Sequence, residues 1–156
     1  MGQPRSAGAT ANYTGTALER FVEQRLIDAG YQRIKGTAFT PGAYHSQLLY
    51  ARQVPLGPSI YESPIRADFA LFHPDKWPTG LVLETKWQQS TGSIDEKFPY
   101  LVMNIKERYH YPTIIILDGG KYKPGAEQWL RRQVEGKLHH VFSMADFQRW
   151  SNQGGI

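Results

Sequence analysis

Apolar residues recur at helical spacing near the start of the chain. Thr16 and Glu19 have the spacing of a capping box, which predicts a helix that begins there and ends at Gly30. Residues 1–12 are small, polar and aperiodic, so we expect a flexible tail over 1–12 and a single domain over 13–156. The apolar stripe of the predicted helix consists of Leu18, Phe21, Val22, Leu26 and Ala29.

Shorter apolar runs farther along the chain are typical of strands. A turn region at 55–58, rich in proline and glycine, is expected to follow the first strand. Four consecutive apolar residues, from Ile114 to Leu117, predict a strand that is buried on both faces. The predicted strands cover 44–52, 65–73, 80–88, 112–118 and 139–142.

Three further segments predict helices. Ser93 and Glu96 form a second capping-box pattern in front of an apolar stripe, a helix is expected over about 125–135, and Ser143 is the expected N-cap of the last helix. The order of elements is then helix, strands, helix, strand, helix, strand, helix. This order predicts an α/β fold of the α+β type, with a central mixed β-sheet flanked by helices.

Composition narrows the chemistry. The chain has 156 residues, of which 40% are hydrophobic, and it contains no cysteine. Disulfides and thiolate zinc sites are therefore excluded, so a metal would be held by oxygen or imidazole, which favours magnesium, manganese or calcium. The net charge of +4 is compatible with a polyanionic partner. The sequence has no HExxH, G-x-S-x-G or GxxxxGK[ST] pattern, which argues against a metalloprotease, a serine hydrolase and a P-loop nucleotide hydrolase.

No apolar run approaches the roughly 20 residues that span a bilayer. The start of the chain also lacks a hydrophobic signal segment. We therefore expect a soluble, unexported, cytoplasmic protein with no membrane partner.

Two acids and an amine stand at equivalent positions of the two central strands. Because side chains alternate between the faces of a strand, Glu84 and Lys86 share one face. If the two strands pair, Asp68 meets Glu84 across the ladder. Two carboxylates and an amine so placed suit a hard divalent cation and a water beside it, which is what phosphodiester hydrolysis requires. About 0.4 Glu-x-Lys triplets are expected by chance in this chain, so the triplet gains its weight from these surroundings.

With an acid on one strand and Glu84-Thr85-Lys86 on the next, residues 14–118 resemble the PD-(D/E)XK, or restriction-endonuclease-like, nuclease superfamily. Its core is a helix, a three-stranded meander, a helix and a further strand. Ala67 stands where the signature has proline, which is not itself a ligand. The resemblance implies that Asp68 and Glu84 hold Mg²⁺, or Mn²⁺ in its place, with the Thr85 backbone carbonyl, and that Lys86 orients the attacking water.

Two further residues are candidates for accessory roles. Gln88 is expected on the face of Lys86, where its amide reaches the water, Lys86 or the phosphate. Glu19 is a candidate accessory ligand, because superfamily members often carry a glutamate on the first helix, and its alternative role is that of capping-box partner of Thr16. Other acids that replace or supplement Asp68, unless they are loop or turn residues, are Glu62, Asp75 and Asp118.

Basic residues supply candidate phosphate contacts. With Tyr122 and Trp129, the segment 121–132 is the best candidate for a nucleic-acid surface, although each basic residue could equally belong to a solvated face. The candidate contacts are Arg66, Lys97, Lys121, Lys123, Arg131 and Arg132.

These observations favour a metal-dependent nuclease, an endonuclease acting on DNA, of a restriction-like, junction-resolving or repair and mobile-element type. The family resemblance implies a homodimer, because a duplex cutter of this fold generally needs two active sites. The alternative is a noncatalytic nucleic-acid-binding or assembly protein that retains the fold, for which metal-independent binding without cleavage is expected.

Overall fold

A mixed sheet of six strands forms the centre of the described part of the chain, which in this computed structural model comprises residues 7–43, 46–88 and 93–156. The strands lie in chain order across the sheet. The central strands β2, β3 and β4 form an antiparallel meander, while β1 is parallel to β2, and β5 and β6 continue parallel to β4. The strands are β1 (Gln32–Ile34), β2 (Leu49–Pro58), β3 (Pro64–His73), β4 (Trp77–Trp87), β5 (Thr113–Asp118) and β6 (Leu138–Ser143).

Helices cover both faces of this sheet. They are α1 (Ala7–Asp28), the single turn α2 (Ser93–Glu96), α3 (Phe98–Glu107), α4 (Pro124–Arg131) and α5 (Met144–Asn152). One core lies between the sheet and helices α3 and α4, and the other lies between the sheet and helices α1 and α5. The predicted α/β architecture, a mixed sheet flanked by helices, is confirmed.

The first helix begins earlier than Thr16. It starts at Ala7, so Thr16 lies inside α1 and the capping-box prediction is wrong. Alanines at 7, 9 and 11 favour helix, which explains why the helix continues through the polar segment. Residues 7–12 are therefore helical where the sequence predicts a tail, and residues 1–6 lie outside the described residues. The division into a tail and one domain stays a prediction.

The strand β2 also differs from its prediction, because it runs through the proline-rich region expected to be a turn. Its partner β1 pairs with it only from Leu49 to Ala51, so the rest of β2 is an edge strand, where prolines are tolerated. The register with β3 shifts between Pro55 and Gly57, which marks a bulge at this edge.

The strands β3 to β6 and the helices α4 and α5 agree with their predictions apart from their exact ends, whereas β1 was not predicted and the helix predicted from Ser93 is divided into α2 and α3. Ser143 caps α5, where its side chain accepts a hydrogen bond from the Asp146 amide at 3.1 Å, as predicted. The side chain of Ser93 lies outside the described residues, so its capping box stays a prediction. Within the described residues, no helix is long and apolar enough to cross a membrane.

Candidate functional site

The strands β3 and β4 stop pairing at the point where their carboxylates lie. The last residues in register are Phe69 and Leu83, and continuing that antiparallel register by one residue places Asp68 opposite Glu84. The Asp68 carboxylate accepts hydrogen bonds from the Thr85 amide at 2.8 Å and from the Thr85 hydroxyl at 3.1 Å. It therefore takes the place of a ladder partner for β4, and this fixes its position between the two strands.

The Glu84 carboxylate is buried on the sheet face that α3 covers. Its side chain follows Val82, which packs in the core against that helix, and Glu84 is only 2% exposed. The Tyr109 hydroxyl donates a hydrogen bond of 2.7 Å to Glu84 Oε1, and Lys86 Nζ lies 3.9 Å from Glu84 Oε2. Strand alternation predicts this neighbourhood of Glu84 and Lys86.

Burial and a like charge determine the ionisation of Glu84. Loss of solvent, and then the neighbouring Asp68 charge, raise the pKa of Glu84 to about 8, although Lys86 and the Tyr109 hydrogen bond act in the opposite direction. A buried carboxylate beside a second carboxylate is unfavourable without a strong positive charge. A cation bound between the two carboxylates would offset their charges and lower the pKa of Glu84.

A cavity of about 550 Å³ gives access to these groups from solvent. Asp68, Glu84, Thr85 and Lys86 line it together. Phe98 and Leu101 of α3 contribute an apolar wall, while the predicted phosphate contacts Arg66 and Lys97 bring positive charge to the same cavity. The arrangement suits a ligand that carries negative charge.

Oxygen ligands for a divalent cation are present in this cavity. Since the N–H and C=O of one strand residue point to the same side, the Thr85 carbonyl faces the gap into which its amide donates. The two carboxylates and this carbonyl form a hard donor set that fits Mg²⁺ or Mn²⁺, with room for waters and a phosphate. Among the described residues, no three acidic or histidine side chains cluster in a metal-binding group, so the fit depends on these two carboxylates.

The side chain of Gln88 is engaged in hydrogen bonds away from the cavity. Gln88 follows the last residue of β4, is buried, and its amide donates to the Lys121 carbonyl at 2.9 Å and accepts from the Ile94 amide at 3.1 Å. Gly119 packs against the Gln88 backbone so closely that a Cβ would collide with it. Gln88 does not line the cavity, and its contacts join the end of β4 to α2 and to the loop between β5 and α4.

Glu19 lies on α1, on the other face of the sheet. Its carboxylate forms an ion pair of 2.5 Å with Arg52, whose guanidinium lies over the Phe69 ring. Burial, and then the charge of Asp68, raise the pKa of Glu19, while Arg52 acts in the opposite direction. Glu19 does not line the cavity, and its accessory role stays a proposal.

The predicted nucleic-acid segment 121–132 lies outside the cavity lining. Tyr122 is only 8% exposed, so its ring belongs to the core and not to the surface of this segment. Arg131 donates to the Val141 carbonyl and to Glu127, and the Lys123 ammonium lies 3.8 Å from Glu96. Only Arg66 and Lys97 of the six predicted contacts line the cavity; the other four are exposed side chains, Lys121, Lys123, Arg131 and Arg132.

The three alternative acids are also placed away from the cavity. Glu62 pairs with Arg108 at 2.8 Å. Asp75 lies in a turn whose amides donate to His73 Nδ1, and the Asp118 carbonyl accepts from Tyr122. These contacts match the loop and turn roles that their sequence context favours.

Two tyrosines support the site although neither was predicted to do so. Tyr109, which holds Glu84, comes just after the end of α3, and its position in the apolar stripe Phe98, Leu101, Val102, Ile105, Tyr109 was the available signal. The Tyr122 hydroxyl donates to the Lys86 carbonyl at 2.8 Å and so fixes the backbone that carries the amine. No sequence pattern indicates this second contact, because it joins distant segments.

Comparison with known protein families agrees with the fold. A family model described as a PD-(D/E)XK nuclease superfamily domain matches residues 10–154. Neither a curated protein nor a solved structure matches the chain. The family match covers nearly the whole sequence, including the meander that carries Asp68 and Glu84-Thr85-Lys86, and it confirms the resemblance seen in the sequence. The chain belongs to the PD-(D/E)XK nuclease superfamily.

Proposed function

We propose that this protein is a metal-dependent nuclease, an endonuclease that hydrolyses phosphodiester bonds in DNA. The observation that carries the proposal is the convergence of Asp68, Glu84 and Lys86 in one cavity, with the buried Glu84 carboxylate beside a second acid. An acid pair of this kind destabilises the fold unless it binds a cation. Noncatalytic binding of nucleic acid does not require such a cation site.

In the proposed mechanism, Asp68, Glu84 and the Thr85 carbonyl hold a divalent cation. When bound, Mg²⁺, or Mn²⁺ in its place, supplies positive charge beside the phosphate oxygens and favours ionisation of the attacking water. Asp68 is fixed by its two hydrogen bonds from Thr85, and Glu84 is fixed by the Tyr109 hydroxyl. Both carboxylates are therefore oriented before substrate binds, which lowers the reorganisation required during reaction.

Lys86 acts on the substrate side of the carboxylates. Its ammonium group donates to a nonbridging phosphate oxygen and to the attacking water, so that it offsets the charge that develops on the phosphate. Tyr122 holds the Lys86 backbone in place. Arg66 and Lys97, at the same cavity, attract the phosphate backbone of the substrate.

The test is cleavage of supercoiled, linear, single-stranded and branched DNA, and of matched RNA, in Mg²⁺, Mn²⁺ or EDTA. We expect metal-dependent cleavage that falls by at least about 100-fold in Glu84→Gln and Lys86→Met. The matched controls are Glu107→Gln and Lys35→Met, which make the same changes at exposed residues. We expect both to cleave at rates near that of the wild type. Cleavage unchanged by Glu84→Gln would refute the mechanism.

The same experiment separates the alternative, a noncatalytic nucleic-acid-binding protein. That alternative requires binding that EDTA does not affect and no cleavage of any substrate. The homodimer that the family resemblance implies is part of the proposal, and light scattering on the purified protein, with and without DNA, measures it directly.

A further inference from the structure

A stacked pair of tyrosines lies at the rim of the cavity. Tyr61, in the turn between β2 and β3, is 74% exposed and stacks on Tyr100 with ring centroids 5.1 Å apart and planes inclined by 23°. Tyr100 belongs to α3 and lines the cavity that holds Asp68, Glu84 and Lys86. The pair therefore extends from the proposed catalytic groups to solvent.

The turn that carries Tyr61 is tightly organised. Ser59 is fully buried, and its hydroxyl accepts hydrogen bonds from the Tyr61 amide at 3.0 Å and from the Ser63 amide at 3.3 Å. The Ser59 amide donates to the Ser63 carbonyl at 2.7 Å and closes the turn. These bonds fix the backbone on both sides of an exposed aromatic ring.

The helix α3 also anchors this turn, through a hydrogen bond. The Ile60 amide donates at 2.9 Å to Asn104 Oδ1, and Asn104 is a buried residue of that helix. Glu62 has φ of 62°, a left-handed conformation that residues other than glycine seldom adopt, and Arg108 pairs with its carboxylate. A strained turn with this many anchors presents Tyr61 in one orientation, which is typical of a binding element.

The chemistry around the pair indicates what it binds. A flat, exposed aromatic ring next to a cavity with Arg66 and Lys97 matches a ligand with a flat π face and an adjacent phosphate. A nucleotide has both groups. In a continuous duplex each base is already covered by its neighbours on both faces, so a base that is free to stack on tyrosine is unpaired.

We propose that Tyr61, supported by Tyr100, stacks on an unpaired nucleobase next to the scissile phosphate. The substrate class is then single-stranded or branched nucleic acid, and uninterrupted duplex is a poorer substrate. This inference rests on the proposed nuclease function and adds the substrate class to it. Tyr61 is a specificity-determining residue in this account.

The test uses oligonucleotides with the fluorescent base 2-aminopurine, unpaired or within duplex, and Glu84→Gln protein in EDTA so that no cleavage occurs. Binding is followed by anisotropy, and stacking is followed by quenching of the 2-aminopurine fluorescence. In that background we add Tyr61→Leu, which removes the ring, or Tyr61→Phe, which retains it. Val134→Ala, at another exposed apolar residue, is the control.

We expect Tyr61→Leu to abolish quenching and to weaken binding of the unpaired oligonucleotide by about 5- to 100-fold, in the range measured for base–aromatic stacking. Tyr61→Phe and Val134→Ala should stay within about 2-fold of the parent. Equal binding of paired and unpaired oligonucleotides, unchanged by Tyr61→Leu, overturns the inference and leaves the nuclease proposal standing. A change of oligomeric state in Tyr61→Leu without loss of quenching assigns the ring to protein contact and overturns it as well. Absence of binding to every oligonucleotide overturns the inference, while metal-dependent cleavage by the wild-type protein tests the nuclease proposal separately.

Discussion

The acids on the two faces of the sheet differ in the charges that surround them. On the α1 face, Glu19 and Glu23 are matched by cations, with Arg52 pairing with both and Arg33 3.6 Å from Glu23. On the α3 face, Glu84 is more deeply buried, yet it faces another carboxylate, and the cation with which it pairs among the described residues is Lys86, at 3.9 Å. Acids that lie beside arginine have a cation to match their charge, whereas a buried acid beside a second carboxylate indicates a site for a ligand.

We expect the largest difference between the two faces in the rate of DNA cleavage. Asp68→Asn removes a charge of the proposed cation site, and we expect DNA cleavage in Mg²⁺ to fall by at least about 100-fold. Glu23→Gln removes a charge of the paired cluster and should leave the rate within about 3-fold. Initial rates on one substrate measure both variants. Similar losses in the two would show that the faces do not differ in function.

Stability should change with opposite signs on the two faces. In EDTA, Glu84→Gln retains the acceptor for Tyr109 but removes an acid whose ionisation is opposed by burial and by Asp68, so we expect the free energy of unfolding at neutral pH to rise by about 1–2 kcal/mol. Glu19→Gln removes the closer of the two acids that pair with Arg52 and leaves it the contact of 3.6 Å with Glu23, and we expect a loss of about 1 kcal/mol. Urea denaturation measures both changes. A destabilised Glu84→Gln protein would mean that Glu84 is a structural residue.

The hydroxyl that orients Glu84 should have a smaller effect. Tyr109→Phe removes the 2.7 Å hydrogen bond, and we expect cleavage to fall by about 10-fold, because outer partners of metal ligands typically contribute that much. The Mn²⁺ concentration for half-maximal activity should rise as well, which a purely structural defect would not cause. Tyr111→Phe, on a half-buried tyrosine next to the same core, serves as the control.

We expect the smallest effect in the salt dependence of DNA binding, which should distinguish basic residues inside the cavity from those outside it. Arg66→Ala removes a cation from the cavity, so the slope of the logarithm of the DNA binding constant against the logarithm of salt concentration should fall by about 1. Lys121→Ala removes an exposed cation outside the cavity lining and should leave the slope nearly unchanged. Equal changes in slope would extend the contact surface to the segment 121–132.

Much of the site could be predicted from the sequence because strand geometry repeats every two residues. Asp68, Glu84 and Lys86 lie inside β3 and β4, where alternation holds and apolar neighbours identify the buried faces. Gln88 lies one residue past the end of β4, and its side chain bonds to the Ile94 amide and the Lys121 carbonyl, which strand alternation does not predict. The strand β2 continues through its prolines because it lacks a second partner there, and pairing of that kind is not encoded locally.

Contacts between distant segments were the other part that the sequence could not provide. Tyr109 meets Glu84 and Tyr122 meets Lys86 only because the sheet register brings β4 and β5 together, with Glu84 beside Ile115. The Tyr61 turn depends in the same way on Asn104, 44 residues later in the chain. Nothing near these residues in sequence indicates their partners.

The central claim is that Asp68 and Glu84 together hold a divalent cation, and Mn²⁺ binding tests it most directly. Titration followed by electron paramagnetic resonance of free Mn²⁺ requires neither substrate nor turnover. We predict that the wild-type protein and the Glu23→Gln variant bind Mn²⁺ with similar affinity. In Asp68→Asn and in Glu84→Gln, the affinity for Mn²⁺ should fall by at least about 10-fold. Wild-type protein that binds no Mn²⁺, or binding that survives both substitutions, would contradict the account.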